Sequence, residues 1–301
     1  MATTVTAPVG NTIALAEKYL PILDEIYKAG AKSSILDTAA ERVRWDGAKK
    51  AYLFNTEMVG LAGYGRNTGF VPGDVNTGWE DYEITQDRGR SFMVDAMDND
   101  ETLGMAFGTL AGEFERTQVI PELDAYRFAK YAGAAAVAQV KTETPTAATI
   151  LGLIDDATAA LDDAEVPYEG RILFVNPTTY KFIKGGVTRM VMNREDDVNY
   201  NVEMFNDMQV ITVPSGRFNT AVTINNSTTS AGAGGYTASG DAINYMIVHP
   251  SAVLQVVKHQ IPRIFSPEVN QEADAWKFDY RVYHDCWVKD QKTNGIYVSH
   301  A

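Results

Sequence analysis

The longest regular pattern of apolar and polar positions in the chain lies between Thr102 and Ala136. Apolar residues at steps of four, three and four form one face of a predicted α-helix: Leu103, Phe107, Leu110 and Phe114. Helical spacing resumes after Pro121 at Leu123, Tyr126, Lys130 and Ala134. The pattern predicts one helix of roughly 50 Å that bends or restarts at Pro121. A helix of this length spans a subunit more often than it lines a pocket.

Acidic residues precede this predicted helix. Asp98, Asn99 and Asp100 offer oxygens for an N-cap, and Glu101 adds negative charge near the positive end of the helix dipole. Together with Asp95 they could also suggest a site for a hard cation. They lack the Asp-x-Asp-x-Asn-Gly spacing with a distal Glu that calcium loops have. Helix capping therefore explains the run more simply.

The C-terminal part of the chain alternates in a different way. From Trp276 to Lys289, large apolar residues alternate with mostly charged ones over fourteen positions. This period of two predicts a β-strand well beyond the usual ~5–6 residues. At ~3.3 Å per residue the strand would span roughly 45 Å. A long strand beside a long helix indicates an elongated subunit.

The remaining elements follow from shorter patterns. Further strands are predicted at Lys50–Val59, Tyr82–Asp87, Ser91–Met97, Arg171–Val175, Met208–Val213 and Ile243–Val248. Ala252–Val257 fits a strand or a short helix. Asn11–Ala29 predicts a helix that Pro21 kinks or divides in two, inside an N-terminal arm that ends near Trp45. The segment Asn225–Gly240 is rich in Ser, Thr, Gly and Ala and predicts an exposed flexible loop.

Two further helices are predicted in the second half of the chain. One begins with Thr144 as N-cap and Pro145 at the first helical position. Its apolar face consists of Ile150, Leu151, Ile154, Ala157 and Leu161. Asp162, Asp163 and Glu165 oppose the dipole at its C-terminal end, so we expect them to be solvated or paired. The other helix is opened by Asn176-Pro177, runs through Lys184 and ends at Gly185-Gly186.

A glycine-rich segment lies between the strand regions at Lys50–Val59 and Tyr82–Met97. It contains Gly60–Gly69 and further glycines at Gly73 and Gly78. No helix opens directly after these glycines and no Gly-Lys-Ser/Thr occurs, so neither a dinucleotide fingerprint nor a Walker motif is present. Two strand regions around such a segment predict a long, extended hairpin or loop, and long loops in compact domains tend to be functional.

Composition places the chain among ordinary globular proteins. It has 301 residues, of which 45% are hydrophobic and 22% charged, enough for one large domain or two smaller ones. We identify no apolar run of the ~18 residues that a membrane span needs, and no secretory signal. Cys286 is the single cysteine, which excludes an intrachain disulfide and favours a reducing compartment.

The formal net charge of −13 disfavours tight binding of nucleic acid, because that binding is driven by Lys and Arg that displace counterions from phosphates. We identify no dense basic cluster that offsets this charge locally. A net negative charge is compatible with a protein that encloses nucleic acid without binding it tightly.

We find no catalytic, cofactor or metal site in the sequence. His284 and Cys286 would point to one face of the long strand, at a spacing that suits two zinc ligands, but that face also contains Trp276, Phe278 and Val282. A packed core His and Cys is therefore favoured over a metal site. No Gly-x-Ser-x-Gly elbow is present, and Cys286 is expected to be buried and unreactive.

The order of these parts resembles that of tailed-phage major capsid proteins of the Hong Kong-97-type fold. The stretches most similar to that family are Arg90–Thr102, Val119–Lys130, Arg171–Lys184, Val213–Phe218, Ile243–Val269 and Trp276–Val298. The resemblance covers nearly the whole chain and rests on the order of diffuse motifs. It implies an α+β fold with an N-terminal arm, an extended E-loop hairpin, a P-domain with spine helix and sheet, and a mixed α/β A-domain.

The resemblance also implies a domain organisation. Residues 1–45 would be the N-terminal arm, 46–92 the E-loop, 93–140 the P-domain with the spine helix, 141–245 the A-domain, and 246–301 the return to the P-domain. Some family members have a long N-terminal scaffolding segment, which would here be already removed or supplied by another protein. Others cross-link Lys to Asn between subunits; Lys49 and Lys50 lie at the loop base, but the sequence gives no environment for that chemistry.

By the same resemblance, copies of the chain would form hexamers and pentamers of an icosahedral phage head around double-stranded DNA, without an enzymatic activity, a cofactor or a membrane. Portal, scaffolding and cement proteins would be further partners, with assembly in the host cytoplasm. Candidate contacts between subunits are large or cationic side chains on the loop: Arg66, Phe70, Trp79 and Arg88. The alternatives are an encapsulin-like compartment around cargo enzymes, and an α/β enzyme with an unrecognised site.

Overall fold

The structure, a computed structural model, describes residues 31–37, 44–46, 50–67, 69–96, 112–188, 202–226 and 234–301. The predicted helix Asn11–Ala29, the acidic run 98–101, the first part of the predicted long helix and Lys49 lie outside these ranges.

Within these ranges the strands are, in chain order, β1 (Arg44–Asp46), β2 (Lys50–Met58), β3 (Val75–Glu83), β4 (Gln86–Asp95), β5 (Val140–Thr142), β6 (Ile172–Val175), β7 (Met204–Phe205), β8 (Met208–Thr212), β9 (Asn219–Ile224), β10 (Tyr236–Val248), β11 (Val253–Phe265), β12 (Ala275–Val288) and β13 (Ile296–His300). The α-helices are α1 (Ile120–Ala134), α2 (Ile150–Asp163) and α3 (Pro177–Thr188). Short 3₁₀ helices occupy Lys32–Leu36, Val137–Gln139, Ser215–Arg217 and Asp290–Gly295.

The described strands form separate sheets. β1, β2 and β3 make a small antiparallel sheet in that order, and β11, β12 and β4 make a second antiparallel sheet. A larger mixed sheet has the order β5-β13-β10-β6-β8-β7, with β9 paired to β10. Helices α2 and α3 pack their apolar side chains against the β6 and β10 strands of this mixed sheet. Helix α1 packs between the mixed sheet and the β11-β12-β4 sheet.

The long helix is continuous from Gly112 to Ala134 in the described chain. Residues Glu115–Val119 form a π-helical turn, in which the N–H of Ile120 donates to the carbonyl of Glu115, five residues back. Pro121 follows at once, in the first turn of α1. Proline lacks an N–H and crowds the carbonyl four residues before it, and π-turns are a common local adjustment inside helices. The helix does not restart at Pro121, as the sequence suggested; it passes through a π-turn directly before the proline.

Helix α1 is buried on most of its surface rather than on one face. Leu123 and Tyr126 are buried as their spacing suggests, but Phe128 and Tyr131 are fully buried too. Lys130, which shares the predicted spacing, is exposed. A helix enclosed by two sheets buries residues on all its faces, and in α1 these include the charged side chains of Asp124 and Arg127. Such burial favours a structural element over a surface helix.

The predicted start of α2 is wrong, whereas its apolar face is confirmed. The helix begins at Ile150 with Thr149 as N-cap residue, not at Thr144-Pro145. Thr146 and Thr149 bond to each other through their hydroxyls at 2.9 Å, and such local bonds compete with helix formation. Ile150, Ile154, Ala157 and Leu161 are fully buried, and Leu151 is partly buried. Asp162 pairs with Arg171 at 2.6 Å, so its predicted pairing is confirmed.

Gly185-Gly186 was expected to end α3, and this is wrong: the helix continues to Thr188. The predicted cap is confirmed, because the side-chain oxygen of Asn176 accepts the N–H of Thr179 at 2.7 Å. A Cβ on Gly186 would lie 2.8 Å from Cδ1 of Leu151. This glycine therefore allows α3 to approach α2 closely rather than stopping the helix.

Two strand boundaries also differ from the sequence prediction. Tyr82–Asp87 is not one strand, since β3 ends at Glu83 and β4 begins at Gln86, in a different sheet. Residues 236–240 were expected in a flexible loop but begin β10 and pair with β9. Gly240 lies at a register shift between Ser239 and Ala242 with φ +75°, where a Cβ would lie 2.5 Å from the Thr220 hydroxyl. Residues 236–240 therefore form a strand, because pairing with β9 outweighs the tendency of their small and polar side chains to form a loop.

The other predicted strands are present, although Ser91–Met97 is represented by the second part of β4, which begins at Gln86 and ends at Asp95. β12 runs for fourteen residues, pairing with β11 on one side and β4 on the other. In the segment 252–257, which the sequence left between strand and helix, β11 begins at Val253. β2, β6 and β8 match the strands predicted at Lys50–Val59, Arg171–Val175 and Met208–Val213 to within one residue at each end.

Candidate assembly surfaces

The hairpin formed by β2 and β3 has no strand partner outside its own small sheet in the described chain. Its strands pair in continuous antiparallel register from Lys50 opposite Glu83 to Met58 opposite Val75. Nine residues at ~3.3 Å each extend it by roughly 30 Å. Residues 59–74 connect the strands beyond that point, with a single isolated bridge between Gly65 and Gly69. The predicted long hairpin with a glycine-rich tip is confirmed.

We define the hairpin tip as residues 58–75. Large apolar side chains are concentrated there, all of them exposed: Met58, Val59, Leu61, Tyr64, Phe70, Val71 and Val75. Phe70 is 88% exposed and lies against Tyr64, with ring centroids 4.9 Å apart. Isolated exposed apolar residues are common on protein surfaces, but contiguous apolar patches mark interaction sites.

The candidate contact residues occupy different parts of this region. Arg66 and Phe70 are at the exposed tip, whereas Trp79, 54% exposed, lies in the middle of β3 opposite Phe54. Arg88 lies on β4, outside the hairpin. Sequence reasoning named only two of the exposed tip residues. The other exposed tip residues could have been predicted from the sequence, because apolar side chains that occur among glycines have no hydrophobic core to pack into.

Arg88 is the centre of contacts within its own chain. Its guanidinium binds both carboxylate oxygens of Glu122 in α1, at 2.6 and 3.2 Å. It also donates to the carbonyl of Asn225 at 3.1 Å and the side chain of Asn226 at 2.8 Å. These bonds connect β4 with α1 and with the end of β9.

The base of the hairpin is fixed by the long C-terminal strand. Between β3 and β4, Ile84 is buried and Thr85 donates both its N–H and its hydroxyl to Oδ2 of Asp285, each at 2.8 Å. The other oxygen of Asp285 accepts the hydroxyl of Tyr126 at 2.8 Å. Close by, the rings of Tyr82 and Trp287 lie 5.5 Å apart, and burial raises the pKa of Tyr82. The hairpin thus extends from a rigid base.

A cavity of about 680 Å³ lies beside this base, between β4, β12, the start of the long helix and the ends of β9 and β10. Its apolar wall includes Phe92, Phe114 and Val282, and Glu113 and Gln118 line it from the exposed side of the helix. A volume in the range of ~300–1,000 Å³ accommodates a drug-sized group or a few side chains.

His284 and Cys286 lie buried in the core, as the sequence predicted. Burial lowers the pKa of His284 to about 3, with Arg127 and Arg88 adding to the effect, and its ring packs edge-on against Tyr126. Burial also raises the pKa of the Cys286 thiol to about 12. At neutral pH the Cys286 thiol therefore stays protonated and is not the thiolate that nucleophilic or zinc chemistry needs. His284 is neutral but only 3% exposed, so it packs as a core side chain.

Within the described ranges, no group of three or more His, Cys, Asp or Glu side chains could hold a metal ion. Among the same residues, no helix combines the length and the apolar character that crossing a membrane requires. Lys50, at the base of the hairpin, forms an exposed ion pair with Asp81 at 2.7 Å, which raises the pKa of the lysine.

The chain is similar to known proteins in structure, whereas its sequence gives no match. The sequence matches no protein-family profile. It also matches no curated protein.

Solved structures are similar over most of the chain. A structure of Mycobacterium phage Che8 has a TM-score of 0.60 at 15% identity, covering 82% of this chain and 84% of that one. The mature capsid of bacteriophage PhiM1 gives 0.62 at 12% identity, covering 85% and 82%. The capsid of Cyanophage P-SCSP1u gives 0.57 at 14% identity, covering 88% and 86%.

These matches agree with the element order: a long hairpin, a long helix, a mixed sheet with helices, and a long C-terminal strand. At sequence identities of 12–15%, these matches show the fold of the chain and do not show its function. The fold expected from the sequence is confirmed. The chain has the Hong Kong-97-type fold of tailed-phage major capsid proteins.

Proposed function

We propose that this chain is the major capsid protein of a tailed phage, whose copies form hexamers and pentamers and close into an icosahedral shell around double-stranded DNA. The observation that supports it is the hairpin tip: apolar side chains are concentrated on an element that extends away from the chain's own cores. A shell subunit needs such an element to reach its neighbour.

The size of the apolar surface supports assembly. Eight large apolar side chains, those of the tip and Trp79, are more than half exposed. At roughly 100 Å² apiece they present about 800 Å², which is what one partner contributes to a standard interface. The largest apolar patch on a typical monomer covers only ~300–600 Å². The hairpin would therefore be buried between copies.

The proposed domain roles follow the fold of the capsid proteins. Residues 1–45 act as the N-terminal arm, the β2–β3 hairpin as the E-loop, the long helix with β4, β11 and β12 as the P-domain, and residues 141–245 as the A-domain. β4 pairs along its length with β12, so we place the base of the E-loop at Ile84–Thr85. A rigid base would set the angle at which the E-loop leaves the subunit.

The net negative charge of the chain suits a shell that encloses DNA without binding it tightly. With a net charge of −13, the inner face would not trap the packaged duplex through counterion release. Portal and scaffolding proteins, and cement proteins where present, would be the other partners. Assembly would take place in the host cytoplasm and the product would be the virion.

Assembly is tested by producing the full chain and examining it by negative-stain microscopy and light scattering. We expect rings or closed shells. A protein that stays a compact monomer or small oligomer under all solution conditions would contradict the proposal. Nuclease protection of the contents of shells formed in the phage host distinguishes packaged DNA from a protein cargo, which would indicate an encapsulin-like compartment instead.

A deletion variant tests the part played by the hairpin. Replacing residues 59–74 by Asn-Gly joins Met58 to Val75, the last pair of the ladder, through a two-residue turn that suits antiparallel strands. We expect the variant to fold with an unchanged circular dichroism spectrum and unfolding midpoint but to form no shells. Normal shells from this variant would show that the hairpin tip is not an assembly element.

A further inference from the structure

The cavity of about 680 Å³ beside α1 has an apolar end and a polar end, which follow the strands of its floor. β12 and β4 pair so that Tyr280 lies opposite Arg90 and Val282 lies opposite Arg88. Because alternate side chains of a strand share one face, Tyr280, Val282 and His284 form a row of roughly 13 Å along this floor. The floor is therefore aromatic at one end, aliphatic in the middle and polar at the other end.

The wall around the apolar end consists of aromatic and aliphatic side chains. The rings of Phe92 and Phe114 are already in contact, edge to face, with centroids 4.8 Å apart. Phe114 also lies 5.9 Å from the ring of Tyr280, and Leu123 of α1 lines the same space. An apolar group bound here would lie along these rings without separating them.

The polar end contains a buried nitrogen that lacks a partner within the described part of the chain. His284 lines the cavity and is 3% exposed, and no described residue forms a hydrogen bond with its Nδ1. Buried polar atoms are nearly always hydrogen-bonded, so an exception beside a cavity indicates a place for a ligand atom. A neutral imidazole provides one N–H donor and one acceptor nitrogen, so it can bind a polar head group.

The charges near this histidine favour an anionic head group. Burial is the main cause of the low pKa of His284, and Arg127 and Arg88 lower it further, so the field at the ring is positive. The glutamates that line the cavity, Glu122 and Glu113, each pair with an arginine, which neutralises them. An anion beside the ring would therefore be attracted rather than repelled.

We propose that this cavity binds a small anionic amphiphile, a carboxylate on a linear apolar chain, with the chain along Tyr280 and Val282 and the carboxylate at His284. Sites for small molecules have this composition: a volume of ~300–1,000 Å³, a mostly apolar wall and a few polar groups that fix the orientation. The inference goes beyond the proposed function, which needs no ligand, and it does not depend on assembly.

Titration calorimetry with decanoate on the unassembled full chain tests the site. We expect one decanoate to bind per chain. Thr117→Trp brings an indole to the cavity from the exposed side of the long helix and should weaken binding by about tenfold. Val137→Trp is the matched control, since Val137 is 92% exposed and does not line the cavity, and it should bind decanoate as the unaltered chain does.

Two comparisons test the head group. Decanol has the same apolar chain without the charge and should bind about tenfold more weakly than decanoate. His284→Phe keeps a ring but removes both nitrogen atoms, so it should weaken the binding of decanoate by about tenfold and leave that of decanol unchanged. Circular dichroism checks the fold of each variant. If His284→Phe does not fold, Thr117→Trp and the comparison with decanol still decide.

The outcomes separate this inference from the proposed function. Decanoate that binds Thr117→Trp and Val137→Trp equally well would lie outside the cavity, as on the exposed hairpin tip, and would overturn the inference. Absence of binding to the unaltered chain would overturn it as well. Equal affinities for decanoate and decanol would show that the anionic head group is wrong. The shell function is judged by particle formation, which none of these measurements affects.

Discussion

The hydroxyl of Tyr126 in α1 donates to a carboxylate oxygen of Asp285 in β12 at a distance of 2.8 Å. The bond joins the fifteen-residue helix α1 to the fourteen-residue strand β12 across 159 positions of sequence, in the interior. Because the second oxygen of Asp285 holds Thr85 at the base of the hairpin, helix, strand and hairpin meet at one side chain.

We expect Asp285→Asn to destabilise the chain more than Tyr126→Phe does. The amide would present a donor where the carboxylate accepts from Thr85, Tyr126 and the N–H of Cys286, leaving buried groups unsatisfied at a cost of roughly 3 kcal/mol. Tyr126→Phe removes one bond and should cost about 1–2 kcal/mol. Urea unfolding measures both, with Tyr168→Phe as a matched control whose exposed bond should matter little. Equal effects of all three substitutions would contradict this ranking.

Asp124 of α1 holds the segment 31–37 in place. Its fully buried carboxylate accepts the N–H groups of Lys32 and Ser33 at 3.1 Å, the hydroxyl of Ser33 at 2.8 Å, and Arg217 at 3.3 Å. Asp124→Ala should release the segment and lower stability by about 3 kcal/mol, since several buried donors lose their acceptor.

Limited proteolysis, followed by mass spectrometry, checks this prediction. Cleavage within or next to residues 31–37 should become much faster in Asp124→Ala than in Asp155→Ala, whose carboxylate is exposed and bonds only to Asn206 among the contacts described. Equal cleavage rates in the two variants would mean that the segment is held by its apolar contacts alone.

His284 should make stability depend on pH. Its folded-state pKa of about 3 lies below the ordinary value of 6.5, because burial disfavours the charged ring. The unfolded chain therefore binds the proton first as pH falls. Stability should be full above about pH 6.5 and should decrease by about 1.4 kcal/mol per pH unit from there toward pH 3.

Denaturant titrations at pH 7 and pH 5 measure this effect. His284→Phe should lose about 2 kcal/mol less stability than the unaltered chain between these two pH values. A pH dependence that is unchanged in His284→Phe would show that other groups cause the acid sensitivity.

Binding to free DNA should be weak. With a net charge of −13, we expect a Kd above roughly 10 µM for a short duplex at physiological salt, in the range of non-specific binding. Fluorescence anisotropy at several salt concentrations checks this. Tight binding that weakens steeply with salt would mean that a local basic surface overrides the net charge.

Sequence alone determined the elements whose burial has a simple period. Three elements were predicted in this way: the fourteen alternating residues of β12, the apolar face of α2 and the continuous apolar strand β6. In each of them, the pattern of buried positions follows from the geometry of the element's own backbone. The order of these elements was enough for the fold. The hairpin was predicted because its tip is rich in glycine and has no periodic pattern.

Tertiary structure decided everything that depends on a distant partner. Gly186 extends α3 because Leu151 lies against it, and residues 236–240 are a strand because β9 pairs with them. Neither partner is visible in the local pattern, which predicted a helix stop and a loop. The meeting of Thr85, Tyr126 and Asp285 likewise depends on packing, since three polar residues spread over 200 positions have no shared period. The sequence predicted a long helix, a long strand and a hairpin; only their packing shows how one carboxylate joins them.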